Sequence, residues 1–327
     1  MLAAVGLAFS FGSQAQNPES ASASDELARK AEVFSSTINL DMKKIFTTGC
    51  CLLLLSGSLL AVIAAHRIGL TLLHFAVFLP TSAITALAVG ADIDVRDEDG
   101  NTPLHVAAEM RSNPAVIEVL LAAGANVNAA NKKGITPLHQ ATWHNSSVVI
   151  IQTLLAAGAR VDAVTEDGDT PLHSASMSNP NIAVIEVLLA AGAEINAVSK
   201  SDSTPLHYAA WGNPEPSIIK LLLASGADID ATNKHGNTPL HWASGNNLNE
   251  GVIETLLAAG ADVNSQDGEG LTPLHAAVMN KDNYSTNIIS LLLKAGANPE
   301  LEDNQGKVPS DYIVKDTDAY KMLTAAS

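Results

Sequence analysis

Histidine is the residue type here whose pattern could do chemistry. Ten are present, and seven recur in one column: His74, His105, His139, His173, His207, His241 and His275. The last six are spaced 34 residues apart. A row of imidazoles suggests metal ligation or proton transfer. Metal binding fails on geometry. Equivalent positions of stacked repeats lie about one helix diameter apart, roughly 10 Å, whereas zinc ligands converge to about 2 Å from one ion. The remaining histidines, His66, His144 and His235, show no ligand spacing.

Nucleophilic and phosphate chemistry have no better support. The chain lacks a Gly-x-Ser-x-Gly elbow, a phosphate-binding glycine loop and a His-Glu-x-x-His pair. Ser, His and Asp are plentiful but recur in register, which makes them parts of a framework. The reading is therefore no enzyme, no metal and no cofactor.

The elements that position the histidines are legible. Thr-Pro-Leu-His occurs at 102–105, 136–139, 170–173, 204–207, 238–241 and 272–275. A fixed period of this size marks a solenoid of stacked units. Thr is a helix N-cap, and Pro suits the first helical position, where its missing N–H has no intrahelical role. A second helix follows, with Val116, Ile117, Leu120 and Leu121 on one face. It stops at Gly124, a residue free to take positive φ, and the matching stops are Gly158, Gly192, Gly226, Gly260 and Gly296. Residues 125–133 form an extended arm and turn before Gly134. The position of Asn113, where the second helix should be capped, holds Ser147, Asn181, Glu215, Asn249 and Asn283, so the inter-helix loop varies most.

Composition agrees. Aromatics are 4% of the chain and hydrophobic residues 47%, which implies an interior of Ala, Leu, Val and Ile. The net charge is −16, and residues 66–327 alone carry 14 Lys/Arg against 29 Asp/Glu. Such a surface repels phosphate backbones, which excludes nucleic acid, and suits a basic protein partner. Cys50 and Cys51 are the only cysteines, so the repeats hold neither disulfide nor thiolate metal site.

The ends depart from the period. Residues 1–41 read as a disordered or upstream segment, because Met42-Lys43-Lys44 resembles a start followed by a basic region. Residues 45–65 carry no charge over 21 positions, long enough to span a bilayer. Counted from Met42 they also fit a secretory signal with small residues at Ala61, Ala64 and Ala65. Residues 42–65 are thus a signal peptide or a transmembrane segment, and either places the repeats across the membrane, periplasmic, extracellular or anchored; the alternative is a cytoplasmic chain. Residues 66–98 are a degenerate first repeat with Leu72 in place of Pro. Regular repeats span 99–132, 133–166, 167–200, 201–234, 235–268 and 269–304, and a C-terminal cap spans 305–327. The cap begins with a worn Gly306-Lys307-Val308-Pro309-Ser310, expected to start a helix.

The Gly-x-Thr-Pro-Leu-His start, the Leu-Leu-x-x-Gly-Ala helix end and the Val127-Asn128-Ala129 arm resemble those of the ankyrin repeat family, over residues 68–327. Asp202 replaces the turn glycine of one unit, and Asp tolerates the left-handed region better than most residues. The resemblance implies an all-α solenoid of antiparallel helix pairs with β-hairpin-like fingers. It implies that the histidine is structural, bonding to the helix start and the neighbouring arm. It further implies protein recognition without catalysis.

Binding should then sit in the variable columns. Four residues beyond His the column reads Glu109, Trp143, Met177, Trp211, Gly245 and Met279. By analogy with the family this column faces the concave surface, and Trp143, Met177 and Trp211 should form an exposed apolar stripe. The column directly after His holds Tyr208 and Trp242, expected to be partly packed. Finger tips alternate in charge and add Lys132, Lys133, Glu166, Asp167, Lys200, Lys234 and His235. The expected partner is another protein, its array a monomer, with no small-molecule substrate; the membrane is a partner only if 45–65 is uncleaved. An inhibitor or immunity-type partner of an enzyme or toxin, or a tethered spacer, are the alternative roles.

Overall fold

The computed structural model describes residues 92–109, 114–144, 147–246, 249–279, 286–315 and 317–326. His74, Asn113, Asn283, the segments 1–41 and 42–65 and most of the degenerate first repeat lie outside these residues.

Thirteen α-helices and one 3-10 helix are present among the described residues, and no strands. The first helices of successive units are α1 (Pro103–Glu109), α3 (Pro137–His144), α5 (Pro171–Ser178), α7 (Pro205–Gly212), α9 (Pro239–Asn246) and α11 (Pro273–Met279). The second helices are α2 (Pro114–Ala122), α4 (Val148–Ala156), α6 (Ile182–Ala190), α8 (Pro216–Ala224), α10 (Glu250–Ala258) and α12 (Thr286–Lys294). The 3-10 helix (Pro309–Tyr312) and α13 (Asp318–Ala326) close the row. Each helix packs on its equivalent in the next unit, so α1, α3, α5, α7, α9 and α11 form one layer and the second helices another.

These helices are seven to nine residues long, too short to be stable alone. Burial between units holds them. Leu104, Leu138, Leu172, Leu206, Leu240 and Leu274 are fully buried, as are Ile117, Ile151, Ile185, Ile219, Ile253 and Ile289 opposite them. Each such side chain contributes about 1.5–3 kcal/mol of burial. Small residues set the spacing of the first helices: Ala107, Ala108, Ala141, Ala175, Ser176, Ala209, Ala210, Ala243 and Ser244 are buried between neighbours. With little side-chain volume there, the first helices approach one another more closely than the second helices do.

The second-helix stops follow one pattern. At α4, Gly158 N–H donates to the Leu155 carbonyl and Ala159 N–H to the Leu154 carbonyl, both at 3.0 Å, with Gly158 at φ 89°. This pair of bonds closes the orphan carbonyls at the helix end and requires the left-handed conformation. The Leu-Leu-x-x-Gly-Ala motif is therefore a local folding instruction.

Starts of the second helices are less uniform. Asn181 and Asn249 accept from the backbone N–H of Ala183 and Gly251, at 3.1 and 2.9 Å. Ser147 and Glu215 stand at the same position in extended conformation without a side-chain cap bond. The C-terminal unit differs from expectation: Val308 begins a single 3-10 turn and not an α-helix. Val308 replaces Thr and Asp311 replaces His, so Asp311 Oδ2 still accepts the Val308 N–H at 3.1 Å, but no imidazole reaches onward to another unit.

Fingers are built alike. The first tip residue is Asp97, Asn131, Thr165, Ser199, Asn233, Asp267 or Asp303, and its side-chain oxygen accepts the N–H groups two and four residues on. Successive tips are joined by backbone bonds, for example Glu166 N–H to Lys133 carbonyl and Lys200 N–H to Asp167 carbonyl, both at 2.8 Å. This approach explains the tip glycines. A Cβ at Gly168 would lie 2.8 Å from the Lys200 nitrogen, at φ +81°. Asp202 occupies the equivalent place at φ 58°, and the rung from Lys234 N–H to Ser201 carbonyl persists at 2.9 Å.

Gly168→Ala is expected to lower stability by about 1–3 kcal/mol, because it forces positive φ and crowds the rung together. Asp202→Gly is expected to change stability by less than about 1 kcal/mol, toward the stable side. Urea unfolding of both variants checks this; a Gly168→Ala chain as stable as wild type would remove the rung from the account.

Candidate functional site

Every described histidine of the column makes the same three contacts. In α5, His173 Nδ1 accepts the Thr170 backbone N–H at 3.1 Å and lies 2.9 Å from Thr170 Oγ1. Its Nε2 lies 3.0 Å from the Ser203 carbonyl, one unit on. Because Nδ1 accepts a backbone N–H, it carries no proton; the proton is on Nε2, which donates to the carbonyl. The ring thus replaces the glutamate of a capping box and also ties two units. Equivalent Nε2 bonds run from His105 to Ile135, His139 to Asp169, His207 to Asn237, His241 to Leu271 and His275 to Lys307 carbonyls, at 2.9–3.2 Å. Among the described residues, no group of three or more His, Cys, Asp or Glu side chains could hold a metal.

Burial disfavours the imidazolium. It lowers His139 and His207 to about 4, against the carbonyl bonds that raise them. His173, His241 and His275 are lowered for the same first reason.

The binding residues read from sequence fall into two settings. On the first-helix face, Trp143 is 39% exposed, Trp211 41% and Met279 41%, with Met177 half-buried between the first two and Glu109 exposed. Tyr208 and Trp242 are half-buried one step inward. Their rings are joined: Tyr208 and Trp242 centroids are 6.0 Å apart, and Trp211 and Trp242 are 6.2 Å apart at 70°. Tyr208 also meets His173 edge-on at 5.1 Å, and Trp242 meets His207 at 5.4 Å. The finger-tip residues Lys132, Lys133, Glu166, Asp167, Lys200, Lys234 and His235 are all exposed. Lys234 Nζ donates to the Lys200 carbonyl of the preceding tip.

Three residues that sequence reasoning did not single out matter here. Asp169 accepts the Tyr208 hydroxyl at Oδ1, 2.6 Å away. Together with burial, which acts first, that bond holds the Tyr208 phenol above its ordinary range. Asn179 and Asn213 are fully buried at the end of the first helix. Asn179 Nδ2 donates to the Thr142 carbonyl at 2.8 Å, and Asn213 Nδ2 to the Ser176 and Asn179 carbonyls at 2.9 and 3.1 Å. They pin the inter-helix loop to the preceding unit. Asn recurs at 145, 179, 213 and 247, in register with the repeat, and that recurrence was the available signal.

A family model of ankyrin repeats matches in three overlapping copies, over residues 73–163, 147–233 and 206–303. The chain belongs to the ankyrin repeat family. Among solved structures, the ankyrin repeat domain of human ASB11 is similar at 30% identity and a TM-score of 0.62, covering 69% of this chain and 98% of that one. The ankyrin repeat domain of Bcl-3, a member of the IkappaB protein family, is similar at 32% identity and a TM-score of 0.54, covering 69% of this chain and 99% of that one. A search of curated proteins found no match. Ankyrin repeats are in general protein–protein interaction modules and typically non-catalytic scaffolds.

The lowered histidines give the ankyrin array a pH dependence. Their folded values lie below the unfolded value of 6.5, so the unfolded chain takes up protons first. Stability is full above about pH 6.5 and falls as pH drops toward about 4, by on the order of 3 kcal/mol for each of His139 and His207. The urea midpoint should therefore decline steadily between roughly pH 7 and pH 5. A flat midpoint over that window would contradict the burial of neutral rings.

Proposed function

We propose that this protein is a non-catalytic adaptor that binds another protein through its first-helix face and finger tips, and that it acts outside the cytoplasm. The observation that carries the reading is the pair of exposed indoles. Trp143 and Trp211 lie two units apart in one column, with Met177 between them. Large exposed aromatics are costly to leave in water and are enriched among residues that dominate binding energy. The alternating tip charges add a polar rim that fixes partner and register.

Neither tryptophan is required by the stack, since Gly245 occupies the same column in an equivalent helix, α9. The double variant Trp143→Ala/Trp211→Ala should therefore lose partner capture from a lysate of the native cells by at least about tenfold. Its melting temperature should stay within about 4 °C of wild type. A drop well beyond that, or capture that survives, would count against a binding stripe.

Export rests on residues 45–65, uncharged over their length and preceded by Lys43 and Lys44. Among the described residues no helix is long and apolar enough to cross a membrane, and 45–65 lies outside them. N-terminal sequencing of the mature protein from fractionated cells tests the proposal. A start near His66 means a cleaved signal, and an intact chain in the membrane means an anchor. An intact chain in the soluble cytosol would overturn it.

A further inference from the structure

We propose that Tyr208, Trp211, Trp242 and Asp169 form a seat for a cationic side chain, arginine ahead of lysine, carried by a basic segment of the protein partner. This deepens, and rests on, the reading of the first-helix face as a binding surface.

The seat spans three units. Tyr208 and Trp211 are three residues apart on α7 and so share a face. Trp242 opens the same face of α9. The Tyr208 and Trp242 rings are tilted by 52°, and Trp211 stands at 70° to Trp242. Rings so inclined do not cover one another face to face, and with Trp211 exposed and the other two half-buried, the cluster sits at the surface. Aromatic faces are the negative part of the ring quadrupole and attract cations, indole most strongly.

Asp169 gives the cluster its sign. Its Oδ1 accepts the Tyr208 hydroxyl, oxygen to oxygen 2.6 Å, which increases electron density on the phenol ring, and no other side-chain bond of this carboxylate occurs among the described residues. A carboxylate bonded to the tyrosine of a three-ring cluster matches a cation and repels an anion. The two lysines of the adjoining tips do not fill this role: Lys234 Nζ is engaged by the Lys200 carbonyl, and both are exposed at the tips.

The fold does not demand these aromatics. The column of Tyr208 and Trp242 holds Val106, Gln140, Ser174 and Ala276 elsewhere, with the helix pairs still formed. A guanidinium fits better than an ammonium because it is planar, stacks on indole and is more weakly hydrated. The chain's net charge of −16 would also draw a basic segment toward the array.

The test is a titration of the full chain with nona-arginine, nona-lysine and nona-citrulline peptides, read by tryptophan fluorescence and calorimetry. Salt is held at about 150 mM, where exposed charges farther than roughly 8 Å are screened. Nona-arginine should bind more tightly than nona-lysine, and nona-citrulline should not bind. Trp211→Ala and Asp169→Asn should each weaken nona-arginine by at least about fivefold. Glu186→Gln, which removes the same charge from the exposed face of α6, should weaken it by less than about twofold. Tyr208→Phe keeps the ring, drops the bond to Asp169 and should fall between these, which guards against a misfolded Asp169→Asn. Equal effects of Glu186→Gln and Asp169→Asn, or an unchanged affinity in Trp211→Ala, would reduce the interaction to general electrostatics and overturn the seat. If the Trp143/Trp211 double variant loses its partner while nona-arginine ignores Trp211, protein binding stands and the cationic seat falls. If the reverse holds, the seat stands and the adaptor reading falls.

Discussion

Nε2 of each column histidine donates to a backbone carbonyl of the next unit, while Nδ1 of the same ring accepts the N–H that opens its own helix. One neutral imidazole thereby satisfies a helix terminus and a neighbouring loop at once. Helices of seven to nine residues cannot persist without such ties and the apolar surface they bring together. The ring works only when uncharged, because a protonated Nδ1 would face an N–H donor. The motif that most resembles a reactive site is thus a joint, and its chemistry is the suppression of charge.

Around that joint the units close in three further ways. Small buried side chains let first helices approach. Buried Asn179 and Asn213 fasten the loop after the helix to the unit before. Backbone rungs zip the finger tips together, and glycine is required where a Cβ would enter the rung. With three sets of bonds holding the frame, a residue such as the one directly after His is free to vary from Ser174 to Trp242. Variation without loss of fold is what allows a generic array to become specific for one partner.

Much of the frame was readable because it is local. Thr accepts the N–H of the His three residues on and donates its hydroxyl to the ring of that His, and the glycine stop closes within five. Physical chemistry on that scale acts through sequence spacing alone. The aromatic columns were readable for the same reason, since a helix fixes which residues share a face. Asp169 was not, because its bond to Tyr208 joins residues 39 apart through the stacking of units. Nor was Asn179, whose amide reaches 37 residues back to the Thr142 carbonyl. The C-terminal unit also needed the structure: Val308-Pro309 reads as another helix start, but with Asp311 in place of His only a 3-10 turn forms.

The sequence by itself determined the period, the helix starts and stops, the repeated placing of histidine and the columns in which side chains vary. Each follows from bonds within a few residues, repeated. Tertiary structure alone decided which distant partners those side chains meet: the carbonyl beneath each imidazole, the carboxylate that holds the Tyr208 hydroxyl, and the near-perpendicular placing of Trp211 against Trp242. These depend on the distance and rotation between neighbouring units, which small changes in packing volume set and no single repeat encodes.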